Sequence, residues 1–381
     1  MDFDYVVLPA IILLTGILIV WFCVRRIVAL SNKIYHSLRR VAERAILFPV
    51  AMIVAGVAGT SAYNAIALFC FRAANPPPGD YYTVNGHRMH INCTGSGLPT
   101  IILDAGLGND ALIWGGVQPV LSKTTRVCSY DRAGFGWSEA QPAPRDADHI
   151  AAELHELLLQ AKVNGPIVLM GHSIAGLYIR DYATRYPAEV AGIVFIDSST
   201  PLQDENPAFK AIDGRGAPQW VEVLLMKAAI IAGLPRLGGL CTKPIKGFEP
   251  HAGMLLAEDL CHPQISAMVA EKNSFNQSGQ ETVHTGPYGA LPILIISHDP
   301  AKGLSKLNPP RQMVDMENTW SQMQENLKKL STRSRRIIAM NSTHLVQVDR
   351  ADLIEKEIPL FIDQIRGTAP PPTNYGSTIT E

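Results

Sequence analysis

Charge is the scarcest property of this chain. Of its 381 residues 18% are charged, 33 basic against 34 acidic, for a formal net charge of -1. Nothing in that balance would gather a polyanion, so nucleic acid is excluded as a partner. The sequence also lacks an internal repeat, a metal-ligand cluster, a P-loop and a dinucleotide fingerprint, and no cofactor or metal is expected. Residues 1–5 hold Asp2 and Asp4 and no basic residue. The basic start of a cleavable leader is therefore missing, and a retained anchor is expected.

Apolar residues are plentiful, at 47%. They suffice for one large globular domain with apolar mass left over at the front. The most informative stretch lies within the domain, where Gly171-His172-Ser173-Ile174-Ala175-Gly176 sits between the apolar run 167–170 and a run of helical spacing, 177–186. Strand, sharp turn and helix make an elbow that presents a nucleophile. Its neighbours must be small because the strained turn brings strand and helix close together. The plain alternative for Ser173 is a helix N-cap. Further along, residues 191–197 form a short strand ending in Asp197, and residues 293–298 form a buried strand followed by Asp299 and Pro300. A final strand, 336–340, leads to His344, ahead of a terminal helix from about Arg350. Ser173 as nucleophile, Asp299 as orienting acid and His344 as general base follow in the order Ser, acid, His, each just past a strand, where a parallel sheet gathers its loops. Asp197 is the alternative acid, and Asp299 beside Pro300 can instead start a turn. His172, inside the elbow, is expected to pack beside the site, and His87 and His90 to form a surface pair.

Over residues 80–366 the chain resembles the serine hydrolases of the α/β-hydrolase fold. The stretch IILDAGLG at 101–108 is similar to that family's oxyanion loop, and YDRAGFGWS at 130–138 to its fourth-strand loop. The loop carries Ala105-Gly106 where His-Gly is common, and Ala175 takes the last small position of the elbow. The resemblance implies an α/β-hydrolase sheet with flanking helices, a helical cap at about 198–290, and an oxyanion hole made by the backbone N–H groups of Leu107 and Ile174. Ser173 would attack a carbonyl as His344 takes its proton, and water would then release the acyl group. Within the cap, residues 221–234 are the most apolar helix, able to line an acyl pocket, dip into a membrane or pack on the sheet.

Two apolar runs precede the domain. Residues 5–24 and 45–71 are each long enough to span a bilayer. Between them Arg25, Arg26, Lys33, Arg39, Arg40 and Arg44 face one acid, Glu43. Such a connector is expected on the cytoplasmic side, with both termini and the catalytic domain outside the cytoplasm, which is the periplasm if the source is Gram-negative. The expected organisation is a two-helix membrane anchor (1–72), a Pro-rich linker (73–80), the hydrolase domain (81–366) and a disordered tail (367–381). Ala51, Ala55 and Gly59, four apart, would let the two spans pack closely. An exported domain permits disulfides. In similar hydrolases the second and fourth strands are neighbours, so the resemblance pairs Cys93 with Cys128, and leaves Cys241 and Cys261 to close a loop in the cap.

The function expected is hydrolysis of carboxylic ester or thioester substrates, small or lipid-derived, at a membrane. A proline iminopeptidase-like peptidase or a perhydrolase would use the same residues. A membrane-anchored binding or sensor protein without turnover is the alternative of another class. Protein partners are not specified by any motif.

Overall fold

The computed structural model describes residues 7–31, 38–142, 144–213, 219–246, 248, 250–259, 261, 265–304 and 309–381. The chain divides into two compact units. Of the described residues, one unit holds those up to 77 together with those in 219–245 and 253–261; the other holds those in 78–213 and 246–252 and those from 265 onward.

The first unit is built on two helices, α1 (Leu8–Ser31) and α2 (Leu38–Ala74). Their segments Leu8–Leu30 and Val41–Ala74 are long and apolar enough to cross a membrane. Large apolar side chains such as Leu14, Leu18, Phe22, Ile53 and Phe69 face outward rather than into a core. The helices run antiparallel, with Arg26 paired to Glu43 at one end and Gly16 against Ala58 further along. A side chain at Gly16 would meet the Ala58 methyl at 2.8 Å, so the glycine sets the approach. The buried face of α2 passes through Ala51, Ala58, Ser61 and Leu68, whereas Ala55 and Gly59 are exposed. The expected Ala51-Ala55-Gly59 row is thereby corrected. A strict four-residue row drifts around a helix of 3.6 residues per turn, and contact between packed helices recurs about every 3.5 residues. Part of the basic connector, including Lys33, lies outside the described residues.

The second unit is a nine-stranded sheet in the order β1-β2-β4-β3-β5-β6-β7-β8-β9. The strands are β1 (Asp80–Val84), β2 (His87–Thr94), β3 (Thr100–Asp104), β4 (Val127–Tyr130), β5 (Ile167–His172), β6 (Val190–Ile196), β7 (Ile293–His298), β8 (Ser334–Ala339) and β9 (Thr378–Thr380). β2 pairs antiparallel with β1 and β4, and every other pairing is parallel. The central strands read as unbroken apolar runs because both faces are covered. Ile102, Leu169, Ile193 and Ile295 point to one face, packed with Leu154 and Leu157 of α3 (Ala147–Gln160) and with Tyr182 of α4 (Ala175–Arg185). Leu103, Met170, Val194 and Ile296 point to the other. Beyond α4 the unit carries α5 (Ile265–Asn273), α6 (Arg311–Asn326) and α7 (Ala351–Arg366), whose Ile354, Ile358 and Phe361 meet that second face. Burying each such side chain contributes about 1.5–3 kcal/mol. Asp146 caps α3 by accepting the His149 N–H, and Gly367, at φ 75°, ends α7 in the left-handed conformation.

Cys93 and Cys128 stand opposite each other on β2 and β4 and are bridged, as are Cys241 and Cys261 in the first unit. Residues 367–381 are not the disordered tail expected from their composition. Thr378–Thr380 extends the sheet as β9, parallel to β8, with Lys328 Nζ on the Gly376 carbonyl and the Thr378 hydroxyl. The span between β6 and β7, expected as a single cap, is shared: residues 219–245 and 253–261 belong with α1 and α2. His90 also departs from expectation. It is buried, with Nδ1 2.8 Å from Asp131 and Nε2 2.7 Å from the Pro78 carbonyl, because its side chain points inward from β2.

Candidate active site

β5 delivers Ser173 and α4 leaves from it. Ser173 has φ 55°, a conformation costly for a residue with a side chain and stabilised here by its surroundings. Its N–H donates to the Ile196 carbonyl, and its own carbonyl accepts from Gly176 and Ser199. A side chain at Gly171 would strike Ile179 and Ala175, and one at Gly176 would strike Ser198 and Ser199. Small residues at these positions let helix and strands close around the serine.

His344 lies on the loop after β8 and lines the same cavity as Ser173. Its Nδ1 is 2.6 Å from Oδ2 of Asp197, at the end of β6. The expected partner, Asp299, is elsewhere. Its carboxylate accepts the Ala301 N–H at 2.9 Å, capping a short helix, and the Asn341 N–H at 3.0 Å. The expectation that Asp299 pairs with His344 is therefore corrected: the carboxylate on the His344 ring is that of Asp197, the alternative acid. The two acids follow the ends of adjacent, directly paired parallel strands, so they stand one inter-strand spacing apart. Asp299 beside Pro300 turns into the helix cap, whereas Asp197, at φ 43°, turns its carboxylate toward the imidazole.

Asp197 is fully buried and surrounded by donors. Oδ1 accepts from the His298 N–H and from Trp320 Nε1 on α6; Oδ2 accepts from the rings of both His298 and His344. Burial raises the acid's pKa, but the hydrogen bonds from His298 and His344 outweigh it and leave the carboxyl well below its usual range. His298 stands between two carboxylates, with Nε2 2.9 Å from Glu317. Burial disfavours its charge, yet the bond to Asp197 and the pairing with Glu317 raise its pKa to about 10. His172 is opposite in character. Burial and the neighbouring His344 lower its pKa to about 3, and its Nε2 lies 2.9 Å from the His344 carbonyl, consistent with a neutral donor steadying that loop.

The loop after β3 closes the other side. Arg132 is buried, with Nε and Nη2 on Glu271 of α5 and Nη1 on Asp104; the same guanidinium donates to the carbonyls of Ala105 and Gly106. These contacts fix the residues just before Leu107. A side chain at Gly106 would meet His172 Nδ1 at 2.6 Å. Leu107 and Ile174 both line the cavity with Ser173, and neither N–H donates to a protein group among the described residues. The cavity, about 450 Å³, is bounded also by Phe209, Phe275, Met316 and Trp320.

Comparison with known proteins agrees with this architecture. Residues 99–225 match the profile of a family described as alpha/beta hydrolase fold. An uncharacterised protein of Schizosaccharomyces pombe is 34% identical over 153 residues, 32% of this chain and 29% of that protein. The chain thus spans under a third of that relative. Among solved structures, a thermophilic esterase from Thermogutta terrifontis superposes with a TM-score of 0.54 at 17% identity, over 75% of this chain and 99% of the esterase. A membrane phospholipase A described as a bacterial virulence factor gives 0.56 at 20% identity, over 85% and 99%.

The chain has the α/β-hydrolase fold.

In this α/β-hydrolase fold the elbow, the His344 loop and the β3 loop converge at one mouth of the sheet, beyond the carboxyl ends of its parallel strands. The arrangement can hold an imidazole in one tautomer, accept a proton at His344 Nε2 and offer two backbone donors to an oxyanion. Sequence reasoning missed His298, Trp320, Arg132 and Glu271. A buried-strand run ending in His298, and an arginine inside the β4 loop, were the visible signals.

Proposed function

We propose that this protein is a membrane-anchored serine hydrolase that cleaves carboxylic ester or thioester bonds of acyl substrates through a covalent acyl-enzyme. One observation carries the reading: Ser173, on a strained elbow, shares a cavity with His344, whose Nδ1 is held by the buried Asp197, and with the undonated N–H groups of Leu107 and Ile174. His344 takes the serine proton during attack and returns it to the leaving group. Asp197 keeps the imidazole in the productive tautomer and stabilises the imidazolium. The two N–H groups bind the tetrahedral oxyanion, at about 3 kcal/mol per donor. The apolar wall of Leu107, Phe209, Phe275 and Met316 suits an acyl chain.

The anchor reading rests on α1 and α2 and on the basic residues between them, which favour a cytoplasmic connector and an exported hydrolase unit. The two disulfides fit an oxidising compartment. Full-length protein treated with a fluorophosphonate should be labelled at Ser173, and Ser173→Ala should lose both labelling and turnover of p-nitrophenyl esters of graded chain length. Labelling at another serine, or faster turnover of aminoacyl anilides than of any ester, would refute the reading. A reporter fused after Glu381 should be active only in the form that works outside the cytoplasm.

A further inference from the structure

The first unit contains an apolar surface that the hydrolytic reading does not use. Residues 219–245 begin with the helix Gln219–Ile231 and continue through the short helix Leu234–Leu237. Leu224, Leu225, Met226, Leu234, Leu237 and Leu240 are all exposed, from 41% to 64%. Six large apolar side chains within 17 residues form a patch of the kind that marks an interaction surface.

Its place along α2 identifies what covers it. Gly16 of α1 lies level with Ala58, and the antiparallel helices rise about 1.5 Å per residue, so the start of α1 at Leu8 is level with α2 near Ile66. The leucine-bearing segment is pinned inside that interval. Gly233, at φ 74°, packs so closely on the Thr60 carbonyl that a side chain there would approach it to 2.8 Å. Asn64 donates to the Ile230 carbonyl at 3.2 Å and accepts from Arg236 Nε at 2.8 Å; Arg236 also binds Glu258 at 2.5 Å. The segment therefore meets α2 only about 3–9 Å beyond the level of Gly16, within the depth over which α1 is apolar.

A second observation agrees. Asn64 on a bilayer span is costly unless its amide is satisfied away from lipid. Here Asn64, Arg236 and Glu258 are all buried and satisfied by one another and by the backbone at Ile230, with the Cys241–Cys261 bridge closing the segment around them. The Asn64 amide that α2 carries at this depth is covered from one side by a segment whose other side is leucine. That is the arrangement of an element immersed in a leaflet. Between Val221 and Leu240 the charged residues are Glu222, at the segment's start, Lys227 and Arg236; Arg236 is buried, and a lysine stem can carry its ammonium toward the headgroups.

We infer that residues 221–240 are a third membrane element, a re-entrant lipid-contacting segment lodged beside the C-terminal part of α2 in the acyl region of the non-cytoplasmic leaflet. The inference rests on the membrane reading of α1 and α2, and the test separates the two. In full-length Cys23→Ser/Cys70→Ser protein, single cysteines are introduced as Ile53→Cys in the span, Leu225→Cys and Leu237→Cys in the segment, and Leu159→Cys on the exposed face of α3. Each is labelled with an environment-sensitive nitrobenzoxadiazole dye and reconstituted in phosphatidylethanolamine–phosphatidylglycerol vesicles with or without doxyl-labelled lipid. Peptide mapping of the Cys241–Cys261 bridge verifies that each variant has folded. Labels at 225 and 237 should be blue-shifted and quenched at least half as strongly as the label at 53, with the label at 159 unquenched. Quenching at 53 without quenching at 225 and 237 would overturn the inference alone. A blue shift at 225 and 237 without lipid quenching would assign the patch to a protein partner or a second copy and also overturn it. No quenching at 53 would remove the membrane reading and the inference with it.

Discussion

Replacing Asp197 by asparagine and, separately, Asp299 by asparagine discriminates the two acids that the chain places at the ends of β6 and β7. Both oxygens of Asp197 accept, Oδ1 from Trp320 Nε1 and the His298 backbone N–H, Oδ2 from the His298 and His344 rings. An asparagine must turn its NH2 toward one pair. Neither an indole N–H nor a backbone N–H can become an acceptor, whereas an imidazole can, so the amide should direct NH2 at the rings. His344 then accepts at Nδ1 and carries its proton on Nε2, where it can no longer take one from Ser173. The negative charge opposite the imidazolium is lost as well. A wrong tautomer of this kind lowers kcat by roughly 10³–10⁴, about 4–5.5 kcal/mol in barrier. Asp299→Asn should behave differently. Asparagine remains a competent N-cap for the Ala301 N–H and sacrifices only the bond to Asn341, so stability should fall by about 1 kcal/mol while kcat stays within the same decade. Burst kinetics with a p-nitrophenyl ester, alongside the second-order rate of fluorophosphonate labelling, measure both. If Asp299→Asn were slower than Asp197→Asn, or if Asp197→Asn lost less than tenfold, the reasoning would be refuted.

Stability should fall on both sides of neutrality. His298, raised to about 10, binds a proton in the folded state that the unfolded chain has released above about 6.5, so its contribution is complete below 6.5 and disappears as pH rises to about 10. His172, lowered to about 3, favours the folded state less as pH falls from about 6.5 toward 3, and the depressed Asp197 does so only below the ordinary aspartate value of 3.8, because in each window the unfolded chain takes up the proton first. Urea midpoints across pH should show this dome, with His298→Gln flattening the alkaline limb; an unchanged alkaline limb would count against the ion pair. Arg132→Met should destabilise the fold by about 3–5 kcal/mol, since it strands Asp104 and Glu271 without their buried cation, and should slow labelling of Ser173 by loosening the β3 loop. Labelling at the wild-type rate would separate Arg132 from that loop. Cys93→Ser/Cys128→Ser opens a loop of 35 residues and should cost about 4 kcal/mol, read as a lower denaturation midpoint.

Much of the architecture was legible because it depends on short-range pattern. Unbroken apolar runs at 167–170 and 293–296 become central parallel strands since no polar side chain interrupts either face, and the small residues flanking Ser173 imply the elbow by steric need alone. The two apolar helices and the extra apolar mass of residues 221–234 were equally visible, but not the helix ends: α1 runs on to Ser31 and α2 begins at Leu38, since the basic residues flanking each apolar run are themselves good helix formers. The choice between Asp197 and Asp299 was not, because each ends a strand, and only the backbone turn after it decides whether a carboxylate reaches the neighbouring imidazole or caps its own helix. Residues 367–381 read as disordered from their Pro, Ser and Thr, since a three-residue strand at an edge draws its stability from β8, a partner about 40 residues away. The same distinction separates the two halves of the cap. Composition marked residues 221–234 as apolar, but only Asn64, Arg236 and Glu258, brought together from positions far apart in the chain, place that segment against α2, because buried polar groups must find their partners wherever the fold puts them.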